Sequence, residues 1–156
     1  KKYNLVGPST VEKIEFRHFL DSAQLYPFLL NQNKIVDVGS GAGFPGLVLA
    51  ILGVSGITLM EASAKKVLFL EKVSRETSTK VEFFNGRTEQ YRGDKFDVII
   101  SRAMAPLCRL FSQTASLKDK ETCYVLLKGE RGAEEVEVAK KRWFFTYECY
   151  ASVPRG

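Results

Sequence analysis

Histidine, cysteine and long apolar runs are all scarce in this chain of 156 residues. His18 is the only histidine, and the three cysteines, Cys108, Cys123 and Cys149, are an odd number spread widely along the sequence. This cysteine pattern is typical of a reducing compartment, and we expect a cytoplasmic protein whose thiols are buried or idle. No apolar run is long enough to span a bilayer and no signal sequence is recognisable, so we expect no membrane partner.

Composition and charge limit the size of the protein and its partners. The chain is 45% hydrophobic and 26% charged, which is ordinary for a globular protein, and its length predicts one domain, residues 1–156, without a separate substrate domain. Lysine and arginine number 23 against 18 aspartates and glutamates, a net charge of +5. Such an excess suits a polyanionic partner such as nucleic acid, but it is also a common aid to solubility.

The most informative stretch is KIVDVGSGAGFPGLVLAILGVSGITLME, from Lys34 to Glu61. The β-branched run Ile35–Val38 predicts a buried parallel strand, and the apolar pattern of Leu47–Leu52 predicts a helix. A second β-branched run, Ile57–Met60, then leads directly to Glu61. The sequence therefore predicts a βαβ crossover with an acid at the tip of its second strand.

Three glycines, Gly39, Gly41 and Gly43, follow the first strand. Glycines allow a tight turn and a close approach to a ligand, and we expect free N–H groups at the start of the next helix to point at that ligand. An acid roughly 20 residues further on can accept hydrogen bonds from both ribose hydroxyls. The pattern indicates an adenosine derivative and leaves open a dinucleotide or S-adenosylmethionine, although Phe44 stands where a dinucleotide fingerprint has its third glycine.

Strands and helices alternate along the rest of the chain. This alternation predicts an α/β fold with a doubly wound, mostly parallel sheet covered by helices on both faces. The remaining predicted helices are Val11–Leu30, a helix after Ser63 as its cap, Ala105–Leu117 and Ala133–Lys141, and the remaining strands are Lys80–Phe84, Phe96–Ile100, Glu121–Leu127 and Trp143–Tyr150.

The motif RHFLDS lies in the middle of the first predicted helix. Arg17 and Asp21 are four residues apart and can pair on the helix surface, while His18 shares a face with Ser22. One interpretation is a salt-bridged helix with a satisfied histidine. The other is a functional site, because His18 is the first candidate for any base that titrates near neutral pH.

Polar residues follow the later strands, where parallel sheets carry their ligands. Arg87, Thr88 and Glu89 come after the third strand and are expected to meet the adenine, or else to form a polar surface turn. Arg102 comes after the fourth strand and can fork a carboxylate, such as that of a methionyl group, or an RNA phosphate. Lys128 follows the fifth strand and suits a backbone phosphate.

Together, RHFLDS, DVGSGAGFPGL, KKVLFL, NGRTEQ, SRAMAPL and LLKG occur in an order and spacing that resemble the bacterial small-subunit (16S) ribosomal RNA guanine N7-methyltransferases, also called glucose-inhibited division protein B. The similarity covers nearly the whole chain. It implies a three-layer, Rossmann-like class I methyltransferase that uses S-adenosylmethionine on a guanosine in the decoding region. Family members have additional N-terminal helices and a final C-terminal strand, so we expect the natural protein to be longer.

The resemblance also implies which residues form the sites. Arg17, His18 and Asp21 become candidates for positioning the substrate, and Lys128 and Arg131 are predicted RNA contacts. We expect 16S rRNA or the small ribosomal subunit as partner, a monomer, and no metal site. The predicted cofactor contacts are Gly39, Ser40, Gly41, Gly43, Phe44, Glu61, Thr88, Glu89 and Arg102.

The sequence after the fourth strand, Ser101 to Met104, contains neither of two common methyltransferase devices. An Asp/Asn-Pro-Pro-aromatic motif, which accepts a proton from an exocyclic amine, is absent, and Cys108 lies too far into the next helix to act as a nucleophile on a pyrimidine carbon. Guanine N7 needs neither device, because its lone pair is exposed and loses no proton. Two other functions stay open: an NAD-dependent enzyme, and a non-catalytic RNA-binding module that retains the fold.

Overall fold

Five parallel strands form the sheet, with the first strand at its centre. The computed structural model describes residues 11–102 and 104–152, with side chains from Arg17 onward. The strand order is β3-β2-β1-β4-β5, and each neighbouring pair is parallel. The α/β, doubly wound class predicted from the sequence is therefore confirmed. The strands are β1 (Ile35–Val38), β2 (Ile57–Glu61), β3 (Glu82–Asn85), β4 (Val98–Arg102) and β5 (Cys123–Leu127).

Helices cover both faces of the sheet. Because side chains alternate across a strand, Ile35 and Leu59 face a core that includes Leu70, while Val36 and Ile99 face the opposite core. The first core receives α2 and α3, and helices α4 and α5 pack together on the other side. The helices are α1 (Val11–Ala23), α2 (Gly46–Ile51), α3 (Ala64–Glu76), α4 (Leu107–Gln113) and α5 (Gly132–Lys140), with 3₁₀ turns at Tyr26–Phe28, Thr88–Gln90 and Ala115–Leu117.

The strand order reverses between β1 and β4. The chain runs outward from β1 through β2 to β3 and then returns to β4 on the other side of β1. In sheets of this kind, a crevice opens at the carboxyl ends of the two strands that flank the reversal, and ligands bind there. A ligand site is therefore expected among the residues that follow β1 and β4.

A close contact between Asp37 and Gly46 joins β1 to the start of α2. The N–H of Gly46 donates to Oδ2 of Asp37 at 2.9 Å. A Cβ on Gly46 would lie 2.6 Å from this oxygen and 2.6 Å from Cδ2 of Leu59, so only glycine lets the helix approach the strand this closely. The contact fixes the length and direction of the glycine loop (residues 39–45) that lies between the two elements.

The first helix is shorter than predicted. The expected helix over Val11–Leu30 ends at Ala23 and is followed by the 3₁₀ turn Tyr26–Phe28. Pro27 explains the difference, because proline has no N–H with which to continue the α-helical hydrogen bonds. The turn brings Leu25 and Leu29 into the core, where both are buried.

The strand predicted for Trp143–Tyr150 is wrong. These residues carry no regular structure. Their side chains do alternate: Trp143 and Phe145 pack against Phe111, whereas Phe144 is fully exposed. A strand also needs a partner for its backbone N–H and C=O groups, and none of the described strands pairs with this segment.

Other boundaries move by a few residues. The predicted strands Lys80–Phe84 and Phe96–Ile100 lie at Glu82–Asn85 and Val98–Arg102, so Ser101 and Arg102 belong to β4 itself. Helix α4 starts after Pro106 and not at Ala105. The cysteines are all free, and no helix among the described residues is long and apolar enough to cross a membrane.

Gly46→Ala is expected to destabilise the fold by about 1–3 kcal/mol, because the new methyl group must displace Asp37 or Leu59. Urea unfolding followed by circular dichroism measures this loss. Gly129→Ala is the matched control, since a Cβ there meets nothing within 4 Å. Equal losses in the two variants would contradict the packing role of Gly46.

Candidate functional site

The glycine loop is held mainly by hydrogen bonds to the protein itself. The N–H groups of Gly39 and Ser40 both donate to the carbonyl of Met60, at 2.9 and 3.0 Å, and those of Gly43 and Phe44 donate to the carbonyl of Ser40. All three glycines of the loop have positive φ, which side-chain-bearing residues seldom adopt. The expectation that free N–H groups at the start of the next helix point at a ligand is wrong, because the first N–H groups of α2 are also bound within the protein. The glycines of the loop therefore provide close approach and not free hydrogen-bond donors.

Glu61 connects this loop to the end of β2. Its Oε2 accepts the N–H of Gly41 at 3.0 Å, and its Oε1 accepts the N–H of Ser63 at 2.9 Å. The residue is 9% exposed, and Nζ of Lys66 lies 3.9 Å from Oε2. Each carboxylate oxygen has two acceptor positions, so each retains one for a ligand hydroxyl.

The structure also corrects the predicted cap of α3. Ser63 occupies the N-cap position, but its hydroxyl makes no capping hydrogen bond. The carboxylate of Glu61 binds the Ser63 N–H instead. An acidic group near the start of a helix is favourable, because the first N–H groups there lack partners within the helix.

Asp37 is a functional candidate that the sequence analysis missed. It lies in the middle of β1 and is wholly buried, and its Oδ1 has no hydrogen-bond partner among the described residues. Burial raises the pKa of Asp37 to about 7, although the Gly46 N–H and the positive charge of Arg102 both oppose the rise. A single carboxylate within the apolar run IVDV was the available signal, because aspartate is rarely buried without a specific role.

Three predicted site residues from distant parts of the chain meet beside the glycine loop. The Arg102 guanidinium contacts Nδ1 of His18, and its carbon lies 5.2 Å from the centre of the Phe44 ring. The rings of His18 and Phe44 have centres 5.4 Å apart. We call His18, Phe44 and Arg102 the cation–ring cluster. It joins α1, the glycine loop and the end of β4.

The electrostatics of this cluster keep His18 neutral. Burial lowers its pKa, and the positive charges of Arg102 and Arg17 lower it further, against the opposing charge of Asp21. Arginine can only donate hydrogen bonds, so Nδ1 of His18 is the acceptor and its proton lies on Nε2. Burial also lowers the pKa of Arg102, which stays charged because the ordinary value for arginine is so high.

The other polar residues of the RHFLDS motif do not belong to the cation–ring cluster. Ser22 is buried and its hydroxyl donates to the carbonyl of His18 at 2.7 Å. Arg17 is exposed and Asp21 is half-buried. Among the described side chains no ion pair joins Arg17 to Asp21, so the salt-bridged interpretation of this helix is wrong in that detail.

Thr88 and Glu89 lie on the same edge of the sheet, beyond the end of β3. Thr88 is buried and its hydroxyl donates to Oε2 of Glu89 at 3.1 Å. Hydrogen bonding from its own backbone N–H is the main effect that lowers the pKa of Glu89, and the Thr88 hydroxyl adds to it. The adenine contact of these two residues stays a prediction.

The two predicted RNA contacts differ in their surroundings. The ammonium of Lys128 donates to the carbonyl of Ala105 and to Glu135, each at 2.8 Å, and its side chain is only 19% exposed. Arg131 is exposed at the start of α5. Contact of either residue with RNA stays a prediction.

These residues form a crevice that suits S-adenosylmethionine. Glu61 offers two acceptor positions beside the glycine loop. The space next to Gly41 is open to a ligand, because a Cβ on Gly41 would have only the carbonyl oxygen of Gly39 within 4 Å, at 3.7 Å. Arg102 lies at the end of β4, on the other side of β1 from Glu61, with donors left for a carboxylate. Asp37 lies buried beneath this edge of the sheet, and its Oδ1 has no hydrogen-bond partner within the part of the chain that the structure describes.

Comparisons with solved structures support the fold. Among solved structures, the chain is similar to a ribosomal protein L11 methylase from Lactobacillus delbrueckii subsp. bulgaricus, with a TM-score of 0.66 and 16% identity over 80% of this chain and 67% of that one. It is also similar to coclaurine N-methyltransferase, with a TM-score of 0.58 and 17% identity over 78% of this chain and 37% of that one. At such low identities these likenesses concern the fold alone.

Sequence relatives are much closer. The chain is 42% identical to the ribosomal RNA small subunit methyltransferase G of Paramagnetospirillum magneticum, over 93% of this chain and 71% of that protein. The relative of the same name from Rickettsia typhi is 37% identical over 98% of this chain and 80% of its own length. The profile of the family described as rRNA small subunit methyltransferase G matches residues 1–156. The chain therefore belongs to the rRNA small subunit methyltransferase G family.

Proposed function

We propose that this protein transfers the methyl group of S-adenosylmethionine to N7 of a guanosine in 16S rRNA, within the decoding region of the small ribosomal subunit. Membership of the rRNA small subunit methyltransferase G family supports the reaction class and the RNA. The observation that carries the proposal is Glu61, whose carboxylate is buried, held by two backbone N–H groups and placed against a glycine loop.

The cofactor supplies a methyl group on a positively charged sulfur. Glu61 accepts the ribose hydroxyls on its two remaining acceptor positions, and the glycine loop lets the nucleoside lie against the backbone. Arg102 forks the methionyl carboxylate, because His18 and Phe44 hold its guanidinium at the end of β4. The proposed cofactor set is Gly39, Ser40, Gly41, Gly43, Phe44, Glu61, Thr88, Glu89 and Arg102.

The target atom N7 is what the resemblance to the guanine N7-methyltransferases implies, and the chemistry of the residues near β4 agrees with it. In the transfer, the N7 lone pair forms the new bond to carbon while the carbon–sulfur bond breaks and its electrons stay on sulfur. No proton leaves the base, so no general base is required. The Ser101 hydroxyl already donates to the carbonyl of Val38, and His18 already accepts from Arg102. Arg17, His18 and Asp21 then serve to position the substrate, and alignment provides the catalysis.

An NAD-dependent enzyme is disfavoured on physical grounds. Dinucleotide sites place a pyrophosphate on free N–H groups at the start of the first helix. Here the N–H of Gly46 already donates to the carboxyl group of Asp37, and those of Leu47 and Val48 donate to the carbonyl of Gly43, so these donors are not free for a pyrophosphate. A non-catalytic RNA-binding module gives no reason for a buried Glu61 and a supported Arg102 to share one crevice.

The direct test is transfer of a labelled methyl group from S-adenosylmethionine to 16S rRNA, free or in small subunits, from cells that lack the corresponding gene. We expect one labelled guanosine in the decoding region. We also expect the RNA to become cleavable at that guanosine by borohydride and aniline, because N7 methylation makes the guanine ring reducible. Label on an exocyclic amine or a ribose would contradict the proposed target atom. Absence of label from both substrates would contradict the reaction.

Glu61→Gln is expected to weaken binding of S-adenosylhomocysteine about ten- to a hundredfold, because hydrogen bonds to a charged group contribute about 1.5–3 kcal/mol. Arg102→Ala is expected to act in the same direction. Isothermal titration calorimetry measures both, and a thermal melt without ligand reports any loss of folding. Glu76→Gln is the matched control, since Glu76 is an exposed glutamate on α3. Unchanged affinity in both site variants would remove Glu61 and Arg102 from the cofactor site.

A further inference from the structure

Lys128 and Glu135 bind the backbone where the segment after β4 enters α4. Nζ of Lys128 donates to the carbonyl of Ala105 and to Oε2 of Glu135, each at 2.8 Å. The same Oε2 accepts the N–H of Leu107 at 3.0 Å. We call this arrangement the Lys128–Glu135 latch. It binds one backbone acceptor and one backbone donor that lie two residues apart.

The latch substitutes for a missing helix cap. Pro106 is the N-cap residue of α4 and makes no side-chain cap hydrogen bond, so the N–H of Leu107 needs a partner from elsewhere. Glu135 supplies it from α5, which packs on α4. The start of α4 therefore depends on a side chain from another helix and not on its own sequence.

The latch is more buried than the usual surface ion pair. The side chains of Lys128 and Glu135 are 19% and 28% exposed. Those of Lys140 and Glu137, which both lie on α5, are 47% and 64% exposed. Exposed pairs contribute little to stability. The Lys128–Glu135 pair is partly dehydrated and hydrogen-bonds the backbone beside α4, so we attribute to it a role in fixing the position of that backbone.

The held segment borders the crevice. Met104, directly before Ala105 in this segment, lies against the glycine loop, because a Cβ on Gly39 would be 3.3 Å from Cγ of Met104. Arg102, at the end of β4, belongs to the cation–ring cluster. The segment is thus fixed to the glycine loop on one side and to α5 on the other.

We propose that Lys128 and Glu135 are positioning residues, whose latch fixes the wall of the crevice against which the target guanine is oriented for methyl transfer. This rests on the proposed function. Lys128 then acts through Ala105 and not through an RNA phosphate. Since a misplacement of about 1 Å can lower a rate about a hundredfold, loosening the wall lowers kcat and leaves cofactor binding intact.

The test compares Lys128→Met and Glu135→Ala with the exposed matched pair Lys140→Met and Glu137→Ala. Each latch variant is expected to lower kcat about tenfold or more at saturating rRNA and cofactor, with the Kd for S-adenosylhomocysteine within about twofold of wild type. The double latch variant should lose no more than the worse single one, because the two residues act as a unit. Glu135→Gln keeps an acceptor for Leu107 and should restore most of kcat. The control variants should match wild type.

A phosphate contact gives a different pattern. It predicts that Lys128→Met weakens RNA binding and lowers the slope of log K against log salt by about one, while Glu135→Ala leaves binding unchanged or tighter. That result, or wild-type kcat in both latch variants, would overturn the latch. If Glu135→Ala does not fold, Lys128→Met and Glu135→Gln decide the question.

A structural role is separated from a positioning role by two further readouts. Calorimetry with S-adenosylhomocysteine counts competent sites, so a fall in kcat per competent site supports the latch and a fall in site number alone contradicts it. Hydrogen exchange of the Leu107 amide, measured without substrate, should be faster in Glu135→Ala.

If wild-type protein transfers no methyl group to rRNA, the proposed function is overturned and the latch with it. If wild type is active and the variants match it, only the latch fails.

Discussion

The carboxylate of Glu61 holds the crevice together. One oxygen accepts the N–H of Gly41 and the other accepts the N–H of Ser63, so a single side chain joins the loop after β1 to the loop after β2. This arrangement needs a strand that ends at residue 61 and lies beside β1, and the register Val38↔Met60 provides both. Any nucleoside whose ribose binds Glu61 must therefore lie against the glycine loop.

Charge is divided along the crevice in a way that matches the cofactor. The carboxyl groups of Asp37 and Glu61 lie on the side of β1 and β2, and the guanidinium of Arg102 lies at the end of β4. In S-adenosylmethionine the ribose hydroxyls lie in the middle of the molecule, and the carboxylate lies at the methionyl end, beyond the sulfonium. His18 and Phe44 keep Arg102 in place without neutralising its charge, because one is a neutral acceptor and the other an aromatic face.

Much of this arrangement is encoded locally. The runs Ile35–Val38 and Ile57–Met60, with glycines after the first and an acid after the second, are sufficient to predict the central βαβ unit and the position of Glu61. Single-sequence patterns fail where partners from distant segments decide the outcome. The alternating side chains of Trp143–Tyr150 resemble a strand, yet a strand exists only where another backbone accepts its hydrogen bonds.

The same limit applies to the site. The sequence identifies His18 and Arg102 as candidates, but their contact across 84 positions depends on how α1 crosses the end of β4. It also marks Lys128 as a strand-end cation without indicating that Ala105 and Glu135 lie within hydrogen-bond distance. Asp37 could have been noticed as a carboxylate within an apolar strand; its contact with Gly46 required the three-dimensional packing of α2.

The central claim is that the nucleoside cofactor lies between the glycine loop and Glu61, with its carboxylate end at Arg102. A crystal structure of the protein with S-adenosylhomocysteine tests this most directly. The account predicts both ribose hydroxyls within hydrogen-bond distance of the Glu61 carboxylate and the amino-acid carboxylate on the Arg102 guanidinium. A ligand bound elsewhere, or a ribose that faces away from Glu61, would contradict it.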